Sequence, residues 1–375
     1  MISLSPNFFQ KLKQINLVIV LVLAIIASIG FVVLYSAAGG DFSPWAGKQI
    51  IRFGVGIVIL SGVAMIDLKT WMRYSYVLYL LSLLMLVAVE ITGRIGMGAQ
   101  RWIDLYVINI QPSELMKITL LMALARYFHE CTLEEIRKLK NLVIPSILIL
   151  IPALLVLRQP DLGTAMLLIL AGSAIFFVAG IRLWKVAVMG GLVLSAIPVF
   201  WHFMYDYQKE RVLNFLDPER DPLGTSYNIL QSIIALGSGG LWGKGFQLGS
   251  QSHLKFLPEK QTDFIFATFI EEFGVIGGLT LLLLYLSLII YGYRMALLSR
   301  SAYGRYLGLG LTTLLFLYIF INMGMVMGLV PAVGIPLPLM SYGGTALLTV
   351  MLSMGLLMSI SIHREDRIGR SGFFI

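Results

Sequence analysis

Long apolar runs follow one another along almost the whole chain, separated by short polar segments. The first extends from Asn16 to Ala37, and others lie near 50–66, 75–93, 112–128, 141–157, 162–180, 184–203, 264–293, 305–328 and 342–362. A helix needs about 20 residues to cross the hydrocarbon of a bilayer, and backbone polar groups there must be satisfied within the segment. The pattern therefore predicts an all-α, polytopic integral membrane protein of about ten transmembrane helices, a single domain over 1–375. A signal-peptide apolar core has about 7–15 residues, so the longer first run reads as a retained span.

One connection breaks the rhythm. Residues 204–263 form a large extracytoplasmic loop between the seventh and eighth helices. Loops of that length without a role are uncommon. Inside it Tyr227, Leu230, Ile233 and Ile234 recur at helical spacing after a cap at Thr225 or Ser226, and Gly237, Gly239 and Gly240 end the pattern. This predicts an amphipathic helix lying at the outer interface, able to frame an entrance for a lipid-linked substrate.

Composition and charge sharpen this picture. The chain is 58% hydrophobic and 13% charged, against about 25% charged in soluble domains. The net charge of +8 does not point to nucleic acid, because the basic residues border the apolar runs. With the amino terminus cytoplasmic, sixteen Lys and Arg fall on inside segments and five (Lys48, Arg52, Arg94, Arg101, Arg158) on the short outside ones. The positive-inside rule then places both termini in the cytoplasm. The single cysteine, Cys131, excludes an intramolecular disulfide, and four scattered histidines show no metal-ligand spacing.

Charges inside a membrane need a partner or a role. In Gln111–Lys117, Pro112 suits a first helical turn, and Glu114 and Lys117 then share one face. They read either as a buried ion pair that orients helices or as an anion site in which Glu114 holds Lys117. Arg101, beside Trp102, is an interfacial anchor or a phosphate contact, and Arg158 is a second phosphate candidate. Asp161 suits a helix cap. Asp263 ends the long loop at the edge of the eighth span, where it is a cap or a general base. Glu271 and Glu272, two turns further on, suit structural pairs or a polar cavity. The uncharged stretch from Pro331 to Thr345 reads as an outer re-entrant loop that includes Ser341, followed by a helix start able to face an anion.

These segments carry a resemblance. GAQRWID at 98–104, QPSELMK at 111–117, RQPDLGTA at 158–165, FLPEKQTDFIFA at 256–267, EEFGVIG at 271–277 and PLMSYGG at 338–344 resemble the SEDS family of bacterial shape, elongation, division and sporulation proteins. The resemblance runs in order along essentially the whole chain, and the GSQSHLKFLPEKQTDF wording is similar to the elongation branch. It implies a SEDS fold in the bacterial cytoplasmic (inner) membrane, with the active site facing the periplasm. It further implies a peptidoglycan glycosyltransferase that polymerises lipid II into glycan strands for rod-shaped elongation, beside a class B penicillin-binding protein, a transpeptidase.

On that resemblance Asp263 matches the family's essential aspartate, and Glu114 and Lys117 match its polar pair. The expected reaction is an inverting transfer that releases undecaprenyl diphosphate. Outer-side cations for the leaving group are Lys117, Arg101, Arg158, Lys48 and Arg52, with Arg211 and Lys244 in the long loop. A diphosphate also attracts a divalent cation, Mg2+ or Mn2+, so Asp263 has a second reading as a metal ligand, although no dedicated ligand cluster is visible. Two rival functions remain: a lipid II flippase, which needs polar residues through the full depth, and a scaffold that only activates the transpeptidase, which needs no acid–base residue.

Overall fold

The computed structural model describes residues 14–92, 94–96, 99–104, 109–181, 227–253 and 259–369, with isolated positions between 184 and 217. Its elements are α1 (Leu17–Ala37), α2 (Ala46–Met65), α3 (Leu68–Thr92), β1 (Arg94–Gly96), β2 (Ala99–Asp104), β3 (Asn109–Ile110), α4 (Pro112–Glu130) and the short α5 (Leu133–Ile136). They continue with α6 (Val143–Arg158), α7 (Leu162–Val178), α8 (Tyr227–Gly239), the short α9 (Ser250–His253), α10 (Ile265–Leu298), α11 (Ala302–Val326) and α12 (Gly344–Ile362). Among the described residues, seven helices are long and apolar enough to cross a membrane, and α7 is a shorter apolar helix. The seventh expected span, 184–203, lies for the most part outside the described residues.

Boundaries move outward from the apolar runs wherever polar residues continue a helix. α2 begins at Ala46 rather than near 50, and α3 at Leu68 rather than near 75. The polar outer segment before α4 contains a small antiparallel sheet of order β1-β2-β3. Cross-strand backbone pairing explains it: Ile103 pairs with Ile110 and Ile95 with Gln100.

α4 is the central helix. It packs against α3, α6, α7, α11 and α12, and Met116 to Ala125 are all buried. A helix sheathed by other helices need not be lipid-compatible on any face. This is why α4 can carry Glu114 and Lys117 at membrane depth. α11 is its equally buried partner, with Gly308, Thr312 and Asn322 among its buried positions.

The helix expected in the long loop is α8, and a second face of it docks on protein. α8 docks on α10 through Ile229, Ser232, Ala235 and Gly239, while Ile233 and Ile234 are exposed. Small residues allow close backbone approach, and Ser232 donates to the Val326 carbonyl (2.9 Å) at the end of α11. The apolar stripe of Ile233 and Ile234 faces outward.

α10 is broken. Gly274 has φ 70° and ψ −174°, outside the helical region. The break would orphan backbone groups, and residues 240–245 satisfy them. Lys244 and Gly245 N–H donate to the Glu271 and Glu272 carbonyls (2.9 and 3.1 Å), and Val275 and Ile276 N–H donate to Gly240 and Leu241 (3.0 and 3.2 Å). The crossing is so close that a β-carbon at Gly243 would overlap the Glu272 carbonyl, and one at Gly274 would overlap Gly243 and Leu241. Irregular backbone among spans survives only when protein satisfies it.

α2, α4, α7, α10 and α12 all begin at one end of the molecule. The opposite end is closed by its own ties, including His363 to Asp67 (3.0 Å) and Arg126 to the Met72 and Arg73 carbonyls (3.1 and 2.8 Å).

Candidate active site

The site begins at the first turn of α4. Gln111 is extended and Pro112 occupies the first helical turn, where its missing N–H costs nothing. Glu114 then sits near the positive end of the helix dipole. Its Oε1 accepts from Lys117 Nζ (2.7 Å) and its Oε2 from the Tyr318 hydroxyl of α11 (2.8 Å). Lys117 Nζ also lies 4.6 Å from the centre of the Tyr318 ring. Both charges are almost fully buried, with side chains 1% and 5% exposed. Both carboxylate oxygens are engaged. The ammonium carries three N–H donors, and among the described residues Glu114 is its one hydrogen-bond acceptor.

One turn further along the same face of α11 stands Asn322. Its amide donates to the Asp263 carbonyl (2.9 Å) and to the Ile335 carbonyl (2.7 Å). A single helix face thus holds the Glu114–Lys117 pair with Tyr318 and the Asp263 turn with Asn322. Asp263 closes the turn 259–263 directly before Phe264, the residue that caps α10. It is half-buried. Its Oδ2 lies 3.5 Å from where a β-carbon of Gly334 would stand, and Gly334 has φ +68°. Glycine serves twice here, for the left-handed backbone and for the space in front of the carboxylate.

Ser341 is a fastener. Its hydroxyl donates to the Thr262 carbonyl (2.6 Å) and accepts from the Leu337 N–H (2.7 Å). Tyr342 N–H donates to the Gln261 carbonyl (2.8 Å), and Gln49 of α2 donates to the Ser341 carbonyl (2.9 Å). The re-entrant stretch between α11 and α12 and the Asp263 turn are therefore stitched together through their backbones. Arg52 stands at the adjoining start of α12, 4.9 Å from the Tyr342 ring centre and beside Gly344. Its buried Nη1 has no partner among the described residues.

On the other flank, Asp161 caps α7 by accepting from the Thr164 N–H (3.1 Å) and hydroxyl (3.0 Å). Arg101 of β2 donates to the Gln159 carbonyl (3.2 Å) and the Pro160 carbonyl, with Nε 3.7 Å from Asp161 Oδ2. Gly163 lets α7 abut the Val333 carbonyl, next to Gly334.

The structure thus brings Asp263, Ser341, Glu114 and Lys117 together, with Arg52 and Arg101 on the flanks. Lys48 and Arg158 are exposed. Lys244 is drawn away from this cluster: it pairs with Glu271 (2.8 Å) and Ser250 (2.7 Å) at the α10 break. Arg211 lies outside the described residues. Among the described residues no group of three or more His, Cys, Asp or Glu converges as a metal site.

Tyr318 and Asn322 were absent from the candidates drawn from the sequence. Their signal was present: two polar residues spaced i, i+4 in the second half of an apolar span.

A buried ion pair and a half-buried aspartate, joined by one helix face where several spans begin, mark a polytopic helical membrane protein with a polar site at one end. Its family follows from comparison. Residues 16–366 match the cell cycle protein family of FtsW, RodA and SpoVE, and the chain belongs to that family. It is 44% identical to the peptidoglycan glycosyltransferase MrdB of Escherichia coli K12, covering 96% of this chain and 98% of that one. It is 35% identical to the stage V sporulation protein E of Bacillus subtilis, over 92% and 96% of the two chains. Among solved structures, a chain of a peptidoglycan synthase complex that coordinates polymerization and crosslinking is similar, at TM-score 0.79 and 31% identity over 93% of this chain and 98% of that one. Thermus thermophilus RodA is similar at TM-score 0.70 and 27% identity over 93% and 97%.

Proposed function

We propose that this chain is a peptidoglycan glycosyltransferase that polymerises lipid II, with Asp263 as its general base. The observation that carries the reading is the shared face of α11. Asn322 seats the Asp263 turn, and one turn away Tyr318 seats the pair that presents Lys117.

The chemistry follows from those positions. The Asp263 carboxylate accepts the proton of the acceptor N-acetylglucosamine 4-hydroxyl. That oxygen forms a bond to C1 of the donor N-acetylmuramic acid as the C1–O bond to the diphosphate breaks. One base and no covalent intermediate give inversion. Negative charge grows on the departing undecaprenyl diphosphate. Lys117 answers it with its remaining N–H donors, supported by Arg52 and the converging helix starts.

By the distribution of Lys and Arg, the site end faces the periplasm and both termini the cytoplasm of the bacterial inner membrane. A class B penicillin-binding protein is the partner that would crosslink the strands. The test is polymerisation of labelled lipid II by the purified chain with that partner. Asp263→Asn should lower the rate about a thousandfold while insertion and lipid II binding persist. Wild-type polymer from that variant would end the assignment of the base.

A further inference from the structure

Asp263 stands at one end of a short helix whose other end is clamped. The break at Gly274 leaves Ile265–Phe273 as a separate segment, about 13 Å long. Every residue from Ile265 to Glu272 is buried. At the Asp263 end the carbonyls of Gln261, Thr262 and Asp263 accept from the Tyr342 N–H, the Ser341 hydroxyl and the Asn322 side-chain amide. At the far end the Lys244 and Gly245 N–H groups hold the Glu271 and Glu272 carbonyls, and the side chains of the two glutamates add to that hold. Glu272 accepts from Ser36 of α1. Glu271 Oε1 gathers Lys244 Nζ (2.8 Å), Ser250 Oγ (3.2 Å) and Gln251 N–H (3.0 Å), all from the long loop.

We propose that Lys244 and Glu271 are positioning residues for Asp263: their ion pair clamps the far end of the segment Ile265–Phe273 and so sets where the carboxylate stands. The inference rests on the reading of Asp263 as the base. Three observations support it. The helical ladder is interrupted at Gly274, so the rest of α10 does not fix the segment's rotation by itself. The Glu271 side chain is 0% exposed, and a buried charge is costly unless paired and hydrogen-bonded, as it is here by Lys244, Ser250 and Gln251. Lys244 Nζ already has two acceptors, Glu271 and Ser250, which suits a clamp better than a diphosphate contact.

The test keeps the clamp and the base separate. Lys244→Met with Glu271→Gln removes both charges together, so no buried charge is left unpaired. In the full chain with its partner, this double variant should bind lipid II with a Kd within about twofold of wild type. Its kcat should fall about ten- to a hundredfold, the scale expected when a reacting group is misplaced by about 1 Å. Lys244→Arg should restore most of kcat. An unchanged kcat in the folded double variant overturns the proposal. A loss of binding that matches the loss of rate overturns it too, and returns Lys244 to the substrate.

Position can also be read without catalysis. In a Cys131→Ser background, Asp263→Cys should react with a charged methanethiosulfonate at a rate that the double variant changes at least about fivefold. An unchanged labelling rate, with Asp263→Asn inactive, removes the clamp and spares the base. A changed rate, with Asp263→Asn fully active, removes the base and leaves the clamp as a purely conformational device.

Discussion

Two Lys–Glu pairs of nearly equal length occupy different regions of this protein. Glu114 and Lys117 lie on one helix, 2.7 Å apart, with both side chains almost fully buried. Lys244 and Glu271 join a loop to a broken helix at 2.8 Å, with Lys244 28% exposed. In the first pair both carboxylate oxygens are engaged, by Lys117 and Tyr318, while the ammonium has one acceptor among the described residues. In the second it is the ammonium that is shared, between Glu271 and Ser250. On the proposals above, the first pair serves as a ligand site, because its cation has one acceptor among the described residues, and the second as a clamp, because its cation is shared between two. An ion pair's role is read from its unsatisfied valences, not from its length.

The sharpest way to break this contrast is Lys117→Ala. It should lower lipid II polymerisation about a hundred- to a thousandfold, as expected for loss of a donor facing developing charge. It also leaves Glu114 buried and unpaired, costing about 3–5 kcal/mol of stability. Adding Glu114→Gln should recover stability in a melting experiment and leave the rate low. Recovery of both would make the pair merely structural.

At the other pair, Gly274→Ala attacks the geometry that creates the clamp. A side chain at φ 70° that also overlaps Leu241 and Gly243 should cost at least about 1–3 kcal/mol, read as a lower melting temperature. An unaltered melt would mean that α10 can run straight through the break.

Tyr318→Phe is subtler. It removes the hydroxyl from buried Glu114 Oε2 and should cost about 1–3 kcal/mol, the penalty for an unsatisfied buried acceptor. The ring beneath Lys117 remains, so lipid II binding should weaken less than in Lys117→Ala. Equal loss in titrations of the two variants would shift the anion contact from the ammonium to the phenol.

The smallest effect belongs to the opposite end. Arg126 and Glu130 form an i, i+4 pair at 3.0 Å with side chains 26% and 41% exposed. Glu130→Gln should change stability by no more than about 0.5 kcal/mol and leave polymerisation unchanged. A large loss of rate there would deny that the site is confined to one end.

Much of the architecture was legible in the residues because lipid imposes a single strong rule. A span must be long, apolar and helical, and the runs around α1, α10, α11 and α12 satisfy it plainly. The seats of Glu114, Lys117 and Asp263 were legible for the complementary reason, that a charge in such a run needs an explanation. Tyr318 and Asn322 escaped notice because uncharged polar residues are tolerated within spans. The three-stranded sheet β1-β2-β3 was hidden because its pairing depends on cross-strand partners, which have no fixed sequence spacing. The docking face of α8 was hidden for a related reason: Ser232, Ala235 and Gly239 meet α10 by close backbone approach, which leaves no apolar pattern in the sequence.

The order of apolar runs and the positions of costly charges thus determined a many-spanning helical protein and marked Asp263 and Lys117 as candidates for its chemistry. Both are local properties, set by what lipid excludes from each segment. Only the tertiary structure decided which valences remain unspent. Saturation of a carboxylate or an ammonium depends on partners from helices distant in the chain. Tyr318 reaches Glu114 across 204 positions, and Asn322 reaches Asp263 across 59.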